Sequence, residues 1–203
     1  MVSIDLMQQE NRQPAFLALN PLGRIPILIT PEIVIRQSTS ILEYLEEKYP
    51  SPNMLGSTPE TRDLIYMVNE CYVFAISYFD HASPALAARL EQKADAATAF
   101  YIQYRQALSA IEQMIGDNDF LCGEHPTIAD CMMFASAQYV HRLYGEPLPI
   151  DCPKLNAFYV RFEQRPSAAI PEYPKLLQEI APPPSPLTTQ IDRTLTTRNR
   201  EGF

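Results

Sequence analysis

The chain predicts an α+β fold that is mostly helical and built in two parts. Three observations carry this. Two short runs rich in β-branched residues, Ile25-Pro26-Ile27-Leu28-Ile29 and Ile33-Val34-Ile35, flank the turn-forming Thr30-Pro31-Glu32, which is the pattern of a tight hairpin. The breaker-rich Pro50-Ser51-Pro52-Asn53-Met54-Leu55-Gly56 then interrupts the chain. Beyond it, apolar residues recur every three or four positions as far as Phe162, the period of packed helices. The expected division is residues 1–50 as an α/β portion, 51–57 as linker, 58–181 as an all-α portion and 182–203 as a tail.

In the first portion the order reads strand, turn, strand, helix. Leu42, Leu45 and Glu46 lie on successive turns of Ser40–Tyr49, and Pro50 stops that helix. Two features suit a small anionic peptide. A cis Ile25-Pro26 bond would turn the chain and leave the Ile25 backbone open beside a strand edge, where an extended ligand pairs as one more strand. Gln37-Ser38 heads the helical pattern, and a helix N-terminus attracts a carboxylate through free N–H groups and its dipole. The plain alternative is a trans edge proline and a serine that merely caps.

The second portion opens with Thr58 as N-cap and Pro59 at the first helical position. Leu64, Val68, Cys71, Ala75 and Phe79 form its stripe, with a break expected at Ser83-Pro84. A helix from about Asp95 to Ile115 follows, striped by Phe100, Tyr104, Leu108, Ile111 and Ile115 and ended by Gly116-Asp117-Asn118. Thr127-Ile128-Ala129-Asp130 reads as a capping box with Asp in the usual Glu position. Thr127 would accept from the Asp130 amide while the Asp130 carboxylate reaches back to the Thr127 amide. A last helix carries Leu155, Phe158, Tyr159 and Phe162 and closes at Arg165-Pro166, with a short one expected over Tyr173–Ile180. Pro182-Pro183-Pro184-Ser185-Pro186 opens a tail expected to be disordered.

Composition narrows the function classes. A net charge of −8 argues against nucleic acid or an anionic membrane as partner. No apolar run is long enough to span a bilayer, and Asp5, Gln8, Gln9 and Glu10 spoil a secretory signal. Cys71, Cys122, Cys131 and Cys152 show no C-x-x-C pair and no histidine at ligand spacing, so no metal is expected. Reduced thiols suit the cytoplasm. His81, His125 and His141 have no nucleophile at readable spacing.

Three blocks taken together resemble the glutathione S-transferase family: Phe16-Leu17-Ala18-Leu19-Asn20-Pro21-Leu22-Gly23-Arg24-Ile25-Pro26, then Gln37-Ser38-Thr39-Ser40-Ile41-Leu42-Glu43-Tyr44-Leu45, then Phe120-Leu121-Cys122-Gly123 with Thr127-Ile128-Ala129-Asp130. The resemblance implies a thioredoxin-like domain before an all-α bundle. It implies glutathione as co-substrate, a small-molecule electrophile conjugated as in detoxification, and a homodimer through the first two bundle helices. By the same resemblance Ile25, beside Pro26, holds the cysteinyl part through its backbone, and Gln37 and Ser38 hold the γ-glutamyl end. Gln keeps an acceptor oxygen without the charge of the Glu often found there. The box at Thr127 and Asp130 is structural in the family.

The resemblance also makes Val2–Leu6 the second strand and implies a strand and helix ahead of it, bearing the Tyr, Ser or Cys that lowers the thiol pKa of glutathione. Such a unit needs about 20–30 residues. The expectation is therefore an incomplete thioredoxin-like domain with no assignable catalytic residue. Ser3 lies on the expected strand and Tyr44 inside a helix, so neither suits the role. Impaired conjugation follows as the leading expectation, and a non-catalytic binding or scaffold protein is the alternative.

Overall fold

The computed structural model describes residues 2–6, 8–82, 93–144 and 146–169. The expected break at Ser83-Pro84, the short helix over Tyr173–Ile180 and the tail 182–203 lie outside them. The chain forms two compact units, Met1–Leu55 and Gly56–Phe203.

In the first unit the strand expected at Val2–Leu6 is not formed. Polar groups there close on one another instead of on a sheet. The Asp5 amide donates to Glu10 Oε2 at 2.7 Å and the Gln8 amide to Asp5 Oδ1 at 3.0 Å. A 3-10 turn, Glu10–Arg12, leads into α1, Pro14–Leu19. This six-residue helix is too short to show periodicity, but Pro14 sits where a helix start tolerates proline.

β1, Leu28–Ile29, pairs antiparallel with β2, Val34–Ile35, in the register Leu28↔Ile35 and Ile29↔Val34. The ladder is shorter than the β-rich runs. Pro26 has no N–H to give it. Thr30 builds the turn: its amide donates to the Ile33 carbonyl at 2.9 Å, and its Oγ1 accepts from the amides of Glu32 and Ile33 at 3.2 and 3.1 Å. Helix α2, Ser38–Lys48, starts two residues earlier than its apolar pattern and buries none of its residues. Phe16 is the buried apolar side chain of this unit among the described residues.

The second unit is helical. α3, Pro59–Ala82, begins where expected, with the Thr61 amide donating to Thr58 Oγ1 at 3.3 Å. Leu64, Val68, Cys71 and Ala75 are buried. α4, Ala94–Met114, packs along α3 and buries Tyr104, Leu108 and Ile111, with Ile115 just past its end. Phe100, expected in that stripe, is only half-buried and stacks on His81 at 5.8 Å. Gly116, at φ +59°, takes the left-handed conformation that ends α4. Tyr78 and Tyr101 meet in the core at 4.9 Å between ring centres.

α5, Ile128–Tyr144, packs on α3, and α6, Pro153–Glu163, packs on α4 and α5. Cys152 gives α6 no side-chain cap. Glu112 of α4 supplies one, its two carboxylate oxygens accepting from the Lys154 and Leu155 amides at 2.8 Å each.

Asp130 is fully buried. Its Oδ2 accepts from the Thr127 amide at 2.7 Å and its Oδ1 from the Leu121 amide at 2.7 Å. The Thr127 hydroxyl does not accept from the Asp130 amide as expected; it donates to Oδ2 at 2.9 Å. Burial raises the carboxyl pKa, and these three donors counter the rise. One side chain thus caps α5 and pins the preceding loop.

Two outcomes follow from this packing. Amides of Met1–Leu55 exchange faster than those of α3, α4 and α5, because so little apolar surface is buried there; equal protection in both units under hydrogen exchange refutes it. Asp130→Ala leaves two buried amides without acceptors and lowers stability to urea by roughly 2–4 kcal/mol; an unchanged midpoint refutes it.

Candidate functional site

The segment between α1 and β1 is held from three sides. Asn20 is buried; its Nδ2 donates to the Arg24 carbonyl at 2.7 Å, and its Oδ1 accepts from the Leu22 amide at 3.2 Å. Asn11 Nδ2 donates to the Gly23 carbonyl at 2.7 Å, and Arg12 donates to the Leu22 carbonyl at 3.3 Å. Gly23 sits at φ +62°, and a Cβ there would lie 2.8 Å from the Asn11 carbonyl oxygen. Only glycine fits such a position. Nothing in the sequence signalled Asn11 and Arg12, and Asn20 stood out only as part of the block that resembles the family, although Asn-Pro followed by Gly is itself a turn signal.

This loop delivers Ile25-Pro26, whose peptide bond is cis. Ile25 is 46% exposed. Among the described residues its backbone N–H and C=O enter no hydrogen bond. The hairpin register relates it to the second feature. Ile25-Pro26 lead into β1 and Gln37-Ser38 leave β2, both at the end of the ladder opposite the Thr30 turn. The four residues singled out in the sequence therefore sit at one end of the hairpin.

Ser38 is not the N-cap. Gln37 takes that position, at φ −108° and ψ 137°, and Ser38 is the first helical residue. No side chain caps α2 and its first turn holds no acidic residue. Gln37 and Ser38 are both exposed. The first-turn amides and the helix dipole are thus presented to solvent, an arrangement that favours an anion. Arg36 steadies the approach by donating to the Leu19 carbonyl at the end of α1 and to the Val34 carbonyl at 3.2 Å.

The side chains weighed for thiol activation are not brought to this end by any described contact. Ser3 is exposed and outside any strand. Tyr44 is half-buried on α2, with Lys48 Nζ 5.9 Å from its ring centre. The protein's own thiols are free but unprimed. Burial pushes Cys71 up to about 12 and Cys152 to about 11 and raises Cys122; Cys131, exposed at the surface, is also raised, by partial desolvation and then by the neighbouring Asp130 carboxylate. Among the described residues no cluster of His, Cys, Asp or Glu could hold a metal ion.

The first unit is a short hairpin with its helices, and the second is helical. Residues 2–53 match the family described as glutathione S-transferase, N-terminal domain, and residues 84–161 match glutathione S-transferase, C-terminal domain. A maleylacetoacetate isomerase from Pseudomonas aeruginosa is 34% identical over 172 residues, covering 81% of each chain. Glutathione S-transferase 2 from Saccharomyces cerevisiae is 26% identical over 174 residues, covering 82% of this chain and 74% of its own. The crystal structure of Gtt2 from that yeast superposes with a TM-score of 0.71 at 26% identity, covering 87% of this chain and 85% of its own. The chain belongs to the glutathione S-transferase family, and its fold is the family's thioredoxin-like unit followed by a helical one.

Asn20→Ala removes two bonds that shape the 20–26 loop. Exchange at the Leu22 and Gly23 amides is expected to quicken at least about tenfold, the equivalent of one to two lost hydrogen bonds. Unchanged exchange there would show that the loop is held by other means.

Proposed function

We propose that the protein binds glutathione at Ile25, Pro26, Gln37 and Ser38 and turns its thiol on a small electrophilic molecule. One observation carries this reading: in a chain of this family, α2 opens with neither a side-chain cap nor an acidic residue. The γ-glutamyl carboxylate would accept from the first-turn amides of α2. The cysteinyl backbone would pair with Ile25 as an added strand. Gln37 would accept from the ligand's ammonium without a charge of its own, which makes for modest affinity.

The nucleophile then arrives with the ligand, because every cysteine of the protein is shifted away from thiolate. In conjugation the thiol loses its proton to solvent or base, the sulfur forms a bond to carbon, and the leaving group departs. The site supplies proximity and orientation. The relative named maleylacetoacetate isomerase adds a second reading. There the sulfur would add to a conjugated double bond, the single bond so formed would rotate, and expulsion of the sulfur would return glutathione unchanged. A homodimer and a reducing, cytoplasmic setting suit the same reading. Tyr66 and Val73 stand exposed on α3, four thiols are free, and no helix among the described residues is long and apolar enough to cross a membrane.

Titration calorimetry with glutathione is expected to give weak saturable binding. Ser38→Glu puts a carboxylate on the first turn of α2 and is expected to weaken it at least about tenfold. Binding indifferent to that change would remove the site. With an aromatic halide and then a maleyl keto acid, loss of free thiol marks conjugation and its retention with product formation marks isomerisation. Binding without either marks the non-catalytic alternative. Little halide conjugation above background is expected, since no described residue is placed to take the thiol proton.

A further inference from the structure

The helical unit carries a second cleft that the glutathione reading does not use. It has a volume of about 130 Å³ and is lined by Asp119, Phe120, Phe158, Arg161, Phe162 and Arg165. Its walls are aromatic: Phe120 meets Phe162 edge-on at 6.5 Å, and Phe158 lies 5.4 Å from Phe162. Its two cations differ. Arg161 is committed, donating to the Asp119 carbonyl at 2.8 Å and lying 3.6 Å from the Asp119 carboxylate. Arg165 has no carboxylate partner among the described residues. Its guanidinium sits 5.7 Å from the Phe120 ring centre and 5.4 Å from that of Phe162, and its Nε is buried without an acceptor. A guanidinium with donors to spare matches a carboxylate in shape and charge.

The dimensions limit the ligand. An apolar cavity of about 150 Å³ holds one benzene ring, so this cleft takes a single ring and little more. We propose that it is a binding site for a small aromatic carboxylate, with the ring against Phe120, Phe158 and Phe162 and the carboxylate on Arg165. Phe120 owes its place to the loop that Asp130 pins through the Leu121 amide, so the wall is built before any ligand arrives.

Benzoate titrated into the full chain, followed by amide chemical shifts, tests this. Saturable shifts confined to residues 119–121 and 158–166 are expected. Benzamide, the same shape without the charge, is expected to bind at least about fivefold more weakly, and Arg165→Gln to weaken benzoate by a similar factor. No saturable shift, shifts centred elsewhere, or equal affinity for benzoate and benzamide would overturn the proposal. The benzoate–benzamide comparison uses the unaltered protein and so decides the matter even where Arg165→Gln fails to fold.

Discussion

Backbone amides must find acceptors, and that constraint sorts the helices of this protein. Three starts are served by side chains. Thr58 accepts from the third residue of α3, Asp130 closes the start of α5, and Glu112 reaches across from α4 to α6. The linker is treated likewise: the Met54 amide donates to Glu46 Oε1 at 2.9 Å. The first turns of α1 and α2 have neither a side-chain cap nor an acidic residue, and α1 opens on Pro14, which lacks one of the donors. Unmet donors at an exposed helix start cost little while water serves them. They become a recognition surface once a carboxylate replaces the water.

The same constraint explains why the site lies where little is buried. The unit Met1–Leu55 has Phe16 as its buried apolar side chain among the described residues, so hydrophobic burial contributes little to its order. Hydrogen bonds from Asn11, Arg12, Asn20 and Arg36 to main-chain carbonyls do that work instead. Each contributes on the order of 1 kcal/mol, and together they fix a loop without giving it a core. A backbone-reading site needs this kind of local rigidity, because a ligand pairing with Ile25 as proposed would do so through main-chain atoms whose position no side-chain rotamer can adjust.

Much of this was legible in the sequence, and the reasons differ by element. Long helices with a buried stripe announce themselves, as Leu64, Val68, Cys71 and Ala75 do in α3 and Leu108 and Ile111 in α4. The hairpin was legible through Thr30-Pro31-Glu32, because that turn is made by local bonds. α1 was not, since six residues give no period. Val2–Leu6 was expected as a strand from its likeness to the family's second strand, but local bonds between Asp5, Gln8 and Glu10 take its polar groups instead. For the proposed site, the sequence singled out Ile25, Pro26, Gln37 and Ser38, but that they lie at the same end of the hairpin rests on the pairing of β1 with β2. The cleft at Arg165 was unreadable, because Phe120 and Phe162 are far apart in sequence and their approach depends on tertiary packing.

The distribution of ionisable groups separates binding from chemistry. A thiol buried like Cys71, up at about 12, stays protonated at neutral pH, because low polarity penalises the thiolate more than any nearby donor relieves it. Burial acts in the same direction on Cys122 and Cys152, whereas Cys131 lies exposed on α5. A protein whose own thiols are held toward the protonated form is suited, under the proposed function, to using a sulfur nucleophile supplied by its ligand. In the proposed function, a borrowed thiol would keep a solution-like pKa unless a neighbouring group stabilised its anion, so rate would depend on whatever stood beside that sulfur and affinity on α2 and Ile25. The two properties are therefore physically separable in this fold, and a chain can retain the second while the first varies.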